Sequence, residues 1–361
     1  MATSHLHYYE PDYAIPPGAS LRSTLEELEM TQAGLAARTG LSLKHVNQVV
    51  QGVAPLTPET ALLLEKATGV PARIWNAREA VYRDRLARAE DKESLSADSR
   101  WLKQLPIPEL VRRGVLTRNS DAGIMLEQVC RFFGVANRNT WERVWREPLG
   151  AFRKSPKFES DSGAVASWLR LGELQAKTLE CAPYDARKFR TALREIRGLT
   201  ASESSDLFDK LVALCADCGV ALVFIPEIKG THCWGSARWL TPTKALIQLS
   251  LRYKFDDHLW FSFFHEAAHI LLHGKKETFI TSDQFSNATE KEADAFAQTF
   301  LIPREYEERL KQLSISEIPE FAHTLGIAPG IVVGRMQKEK LIAWNEARSL
   351  KRKVDFVSNE T

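Results

Sequence analysis

No hydrophobic run in the 361 residues approaches the roughly 18 that a membrane span needs; residues 220–225, VALVFI, are among the longest. A membrane-crossing helix is therefore excluded. Cysteine is scarce, and its five copies are an odd number that cannot pair completely within the chain. The N-terminal residues, MATSHLHYYEPDY, lack the basic flank and apolar stretch of a secretion signal. Together these features point to a reducing cytoplasm. Charge of one sign is missing as well: the net charge is +2, and residues 1–90 carry nine basic against ten acidic side chains. The first domain therefore has no bulk basic excess. Internal repeats and low-complexity tracts are absent. What is present, 44% hydrophobic and 26% charged residues, excludes a fibrous or largely disordered chain. The length exceeds one compact core and predicts two or three domains.

Local signals divide the chain. Over residues 18–90 helix starts are marked by Thr31, Ser42 and Thr57, the last followed by Pro58, and Gly40, Gly52 and Gly69 end successive periodic runs as C-cap glycines do. From 91 to 200 the pattern stays helical, with a polar break at 154–163 (KSPKFESDSG) that predicts an exposed loop. After 201, VALVFIP, WGSARWL and KALIQLSL read as three short strands. Helices are predicted over 257–273 and 288–301, joined by a variable loop, and then over 317–325 and 331–350.

The run FSFFHEAAHILLHG places His265 and His269 four residues apart on a helix, about 40° round it and about 6 Å along it, so both imidazoles reach one metal. Glu266 lies on the adjoining face, where a carboxylate takes a proton from water and passes it to a leaving amine, which is peptidase chemistry. His273 sits about 12 Å along the axis from His265, too far to share an ion; it caps the helix end or lies near the cleft. Glu290, in NATEKEADAFAQTFLIP, is the third-ligand candidate, since Ala293 and Ala297 let its helix approach another closely. Asp294, one turn on, is placed to accept a hydrogen bond from the outer nitrogen of a ligand histidine, and Glu292 points away as a solvated charge.

HEAAHILLH followed by ExxAxxFAxxxLIP resembles the ImmA/IrrE-type metallopeptidases. The resemblance extends back through GVALVFIP and LSLRYKFDDHLWFSFFHE and forward through FAHTLGIAPGIVVGRMQKE, roughly the last 140 residues. It implies a zincin-like fold in which Glu266 is the general base and His265, His269 and Glu290 bind Zn2+. Such a site also takes Mn2+ or another divalent ion. The family's characterised role implies cleavage of a helix-turn-helix repressor.

In QAGLAARTGLSLKHVNQVVQG, residues 32–52, Leu35, Ala36, Leu41, Val46 and Val49 fall where two short helices crossing at a glycine turn bury them, a helix-turn-helix pattern. Lys44, His45, Asn47 and Gln48 remain on the outer side of the second helix as base-contact candidates, with Ser42 and Gln32 at the helix starts facing phosphates. A helical interaction module that never touches DNA is the alternative. About 75 residues, from Pro17 through LTPETALLLEKATGVPARIWNAREAVYRDRLA, resemble the antitoxin-type branch of the Cro/repressor helix-turn-helix family. That likeness implies operator binding as a homodimer, and a toxin as a further partner. Gly34 departs from the family pattern, which has a charged or polar residue there, and weakens the first helix of the motif.

Among the remaining residues, Cys215 and Cys218 form a CxxC without a second pair and read as core, as do Trp141, Trp145 and Trp168. Cys233 beside Trp234 falls near the cleft, where an inhibitory thiol on the ion is conceivable. The expected architecture is α+β and mostly helical. It comprises an all-α helix-turn-helix domain over 1–90, a helical connector over 91–200, and a zincin-like metallopeptidase domain with a small antiparallel sheet over 201–361. The expected function is a cytoplasmic regulator that binds double-stranded operator DNA and cleaves a protein substrate, a partner repressor or antitoxin or itself. The alternatives are a DNA-binding regulator whose metal domain is a non-proteolytic sensor or docking module, and an antitoxin that neutralises a neighbouring toxin by direct contact.

Overall fold

The computed structural model describes residues 15–152, 156–250, 252, 254–275, 277–282 and 288–354. The described residues up to Ser99, with Asp121–Glu127, form one compact unit, and those of Arg100–Ser120 and from Gln128 onward form the other. No helix among the described residues is long and apolar enough to cross a membrane.

The first unit holds α1 (Pro17–Glu27), α2 (Gln32–Thr39), α3 (Leu43–Val50), α4 (Pro58–Thr68) and α5 (Ala72–Ala97). Three starts follow from side-chain caps: the hydroxyls of Thr31, Ser42 and Thr57 accept from the backbone N–H groups of Gly34, His45 and Thr60, satisfying donors that a helix end leaves orphaned. Gly34 thus contributes its N–H to the cap of the helix it would otherwise weaken. Gly40 and Gly69 close α2 and α4 in the left-handed conformation, while Gly52 lies one residue past Gln51, which caps α3. Leu35, Ala36, Val46 and Val49 are buried with Leu21, Leu64 and Trp75, and Leu41 packs half-buried against them.

Where α1 meets α3, a side chain has no room. A Cβ on Gly18 would stand 2.2 Å from the carbonyl oxygen of Val50, a backbone atom that cannot swing away. Gly18→Ala is therefore expected to destabilise this unit by about 1–3 kcal/mol or more, read as lost hydrogen-exchange protection in α1 and α3 of the full chain. Unchanged protection would mean that the two helices can separate at no cost.

Beyond α5 come short helical turns, then α6 (Ala122–Phe133), α7 (Pro156–Thr178), α8 (Ala186–Leu199) and α9 (Leu207–Ala216). The loop expected at 154–163 is helical from Pro156, because proline suits a first helical turn, where a missing N–H leaves nothing unpaired; residues 153–155 lie outside the described set. Trp141 and Trp168 are fully buried, and the indole N–H groups of Trp145 and Trp168 donate to the carbonyls of Phe133 and Ile225. Cys215 and Cys218 are buried, and burial pushes both thiols up, as suits core residues.

Among the described residues four strands follow the order β1 (Val220–Phe224), β3 (Lys244–Leu249), β2 (Cys233–Thr241), β4 (Phe279–Ser282). The sheet is mixed. Antiparallel pairing joins β2 to β3 and to β4, and β1 runs parallel to β3. β1 is buried at all five positions, the continuous apolar run of a parallel strand covered on both faces. The variable loop expected between the site helices contains β4, whose four residues are too few to give a clear alternation.

The helix carrying the histidines, α10 (Asp256–Leu272), packs on this sheet and against α11 (Ala288–Leu301) and α13 (Pro329–Lys338), with α12 (Ile318–Leu325) beyond. Its first turn is anchored from far along the chain. Lys351 Nζ lies 2.6 Å from Asp257, and the Arg352 guanidinium lies 3.3 Å from Asp256. The two aspartates also complement the helix dipole. Gly330 and Gly334 of α13 leave room for those aspartates, since a Cβ at either would stand 2.3 or 2.7 Å from a carboxylate oxygen. The helix expected over 331–350 stops at Lys338. The buried Gln337 amide donates to the carbonyls of Trp344 and Glu346, folding the next residues back, and among the described residues a 3-10 turn, Arg348–Leu350, follows.

Candidate metal centre

Two helices bring the site together. Ala267, Ala268, Ala293 and Ala297 are fully buried small residues that let α10 and α11 approach closely. His265, His269 and Glu290 then converge, each offering a ligand atom within 4.8 Å of the others. His265 Nε2 lies 3.1 Å from Glu290 Oε2 and 3.1 Å from His269 Nε2, and His269 Nε2 lies 3.4 Å from Glu290 Oε1.

Partners outside the group orient the rings. His265 Nδ1 is 2.9 Å from Asp294 Oδ1, so a proton on Nδ1 leaves Nε2 as the inward atom. His269 Nδ1 is 2.9 Å from His273 Nδ1, and the His273 Nε2 lies 3.2 Å from Glu292. His273 therefore ends α10 with its backbone and meets a ring of the group with its side chain. Glu292, expected as a solvated charge, is mostly exposed but has this contact. The Phe279 ring of β4 stacks on His269 at 4.2 Å.

Glu266 is wholly buried beside the group. Its Oε1 accepts from the Thr281 hydroxyl of β4 at 2.6 Å, while Oε2 has no hydrogen-bond partner. Burial pushes its carboxyl up to about 8, against the pull of His265 and Thr281. Burial opposes charge on His265, yet Asp294 and Glu290 hold its imidazolium so firmly that its pKa rises to about 10. Glu290 is likewise opposed by burial but held down at about 2 by its hydrogen bonds to the two histidines, and burial lowers His269. Two imidazoles and the anionic Glu290 converging in a buried site, beside an unpartnered carboxyl oxygen, form a donor set that fits a divalent cation, which would replace the proton that His265 holds on Nε2.

Sequence reasoning missed two of the residues that hold Glu266. Thr281 sits on the unforeseen β4. Gly235 on β2 passes so close that a Cβ there would stand 2.3 Å from Glu266 Oε1. Gly235→Ala must displace the carboxylate from its buried place, with an expected loss of about 1–3 kcal/mol of stability. Denaturant unfolding of the variant checks this, and unchanged stability would show that Glu266 tolerates the shift. Cys233, conceived as an inhibitor, is buried in β2 with its thiol directed at the Thr231 carbonyl, and it is not one of the converging group.

Four of the six helix-turn-helix candidates lie on α3, with Ser42 at its N-cap and Gln32 at the start of α2. Lys44 and Asn47 of α3 are exposed, and His45, Gln48 and, on α2, Gln32 are half-buried. Ser42 is exposed, with its hydroxyl occupied by the cap on His45 N–H at 3.1 Å.

Comparison with known proteins follows the same division. Residues 240–337 match the family described as the IrrE N-terminal-like domain of M78 peptidases, and residues 21–75 match the helix-turn-helix family. A search of curated proteins finds no match. A solved addiction module antidote protein of the HigA family from Coxiella burnetii is 25% identical, covering 23% of this chain and 90% of its own, with a TM-score of 0.22. Residues 21–75 of this chain are thus similar to helix-turn-helix domains and residues 240–337 to IrrE N-terminal-like domains.

Proposed function

We propose that the chain is a DNA-binding transcriptional regulator whose second domain is a metal-dependent endopeptidase that cleaves a regulator, either a partner repressor or antitoxin or the chain itself. The observation that carries this reading is the buried Glu266 carboxylate, with one oxygen unpartnered, beside the His265–His269–Glu290 group. Those three side chains would hold Zn2+, with Mn2+ also accommodated, and such an ion supplies Lewis acidity toward water and the scissile carbonyl. Glu266 takes a proton on Oε2 and returns it to the leaving amine, while Thr281 fixes Oε1 so that the free oxygen keeps one direction. Asp294 holds the His265 ring in place. In the first domain, Lys44 and Asn47 on the exposed side of α3 reach bases, with His45, Gln48, Gln32 and Ser42 around them. A homodimer in the cytoplasm would match a two-fold operator.

The test joins both halves. Metal-loaded chain is incubated with the helix-turn-helix regulator encoded nearest to it, fragments are identified by mass spectrometry, and the DNA upstream of its gene is footprinted. Discrete fragments and a symmetric footprint are the expected result. An intact regulator and an intact chain with one ion bound per molecule would instead leave a sensor or docking module.

A further inference from the structure

A cavity of about 520 Å3 lies between α10, α11 and α13, a volume that accommodates a ligand of drug size or a few residues of polypeptide. Trp234, Phe255, Phe261 and Trp344 give it aromatic walls. It lies beside the metal centre on the same two helices. Phe261 stands one turn before His265, with ring centroids 6.1 Å apart, and Gln298 stands one turn after Asp294. His258, also in its wall, precedes His265 by seven residues, about 10 Å along the axis, which an extended chain covers in about three residues.

The polar groups of the wall are unequally matched. Asp257 is its only acidic residue: one oxygen takes Lys351, and the other, Oδ1, is buried without a hydrogen-bond partner. Arg335 is committed to Glu339 and Glu307. Among the described residues Lys338 and Arg348, both exposed, have no carboxylate partner, although the Arg348 guanidinium lies over the Phe255 ring at 5.9 Å from its centre. The cavity thus presents an apolar interior and two cations without a carboxylate partner. An acidic polypeptide segment meets both needs at once, with an apolar side chain and a carboxylate.

Resting on the peptidase reading above, we propose that this cavity is a substrate subsite that seats a bulky apolar residue next to Asp or Glu, about three residues from the scissile bond. Cleavage-site profiling tests it. Metal-loaded full chain is given a peptide mixture randomised around a fixed core, and the products are sequenced by mass spectrometry. Leu, Phe or Trp adjoining Asp or Glu about three positions from the cut is expected to be enriched. The double charge reversal K338E/R348E is expected to lower the ratio of acidic to basic residues at that position about tenfold. Cleavage that depends on Glu266 but shows no such preference, or a preference that the reversal leaves unmoved, would overturn the subsite and leave the peptidase intact. If no peptide is cut, the peptidase reading fails, and a binding measurement still decides on the cavity. A tryptophan-free peptide carrying Leu-Asp is titrated into the wild-type chain and followed by tryptophan fluorescence. Saturable binding weakened about tenfold by K338E/R348E keeps the cavity as a peptide site, and no binding overturns it.

Discussion

Glu266→Gln is expected to reduce cleavage on the order of a thousandfold while the protein still carries about one ion per chain, since proton transfer by a placed carboxylate contributes roughly 10²–10⁴-fold. The substitution is nearly isosteric. Its amide oxygen can still accept from the Thr281 hydroxyl, so the side chain stays where β2 and β4 hold it. What disappears is the basic oxygen. Metal content should not fall, because Glu266 is outside the converging His265–His269–Glu290 group. Rates measured on any cleaved peptide, paired with metal analysis, check both halves. Cleavage at the wild-type rate would remove Glu266 from the chemistry.

Glu290→Ala is expected to lose the ion altogether, from about one per chain to near none. The carboxylate is the only anionic member of the group, and its two oxygens lie 3.1 Å from His265 Nε2 and 3.4 Å from His269 Nε2. Without it the imidazoles keep their places but offer no negative charge to offset the cation's lost hydration. A thermal consequence follows by mass action, because an ion bound to the folded state at a hundred times its dissociation constant adds about 2.7 kcal/mol. Chelation should therefore lower the wild-type Tm by roughly 5–10 °C and leave that of Glu290→Ala unmoved. An equal drop in both proteins would place the stabilising ion elsewhere.

Much of this site is legible from sequence because its key spacings are helical. His265 and His269 share a face by their separation alone, and Glu290 with Asp294 repeats the same geometry on α11. The caps Thr31, Ser42 and Thr57 are equally local, each a hydroxyl bonding an N–H three residues on. What escaped is long-range. β4 exists because β2 offers it an edge, and its Thr281 reaches Glu266 across 15 residues of sequence. Nothing around Gly235 announces the carboxylate that fills the space of its missing side chain. The parallel course of β1 depends on which edge of β3 is left after β2 has paired, and the early end of α13 depends on what the Gln337 amide can reach.

The anchoring of α10 by Lys351 and Arg352 bears on how the domain folds. The partners are 94 and 96 residues apart in sequence, so the start of the histidine helix is fixed only after nearly a hundred residues have found their places. Contacts of such separation cost loop-closure entropy before they return any stability, and chains rich in them fold slowly. Uptake of the ion should then track the last stage of folding rather than the first, and ion binding after rapid dilution from denaturant becomes a clock for completion of the native domain.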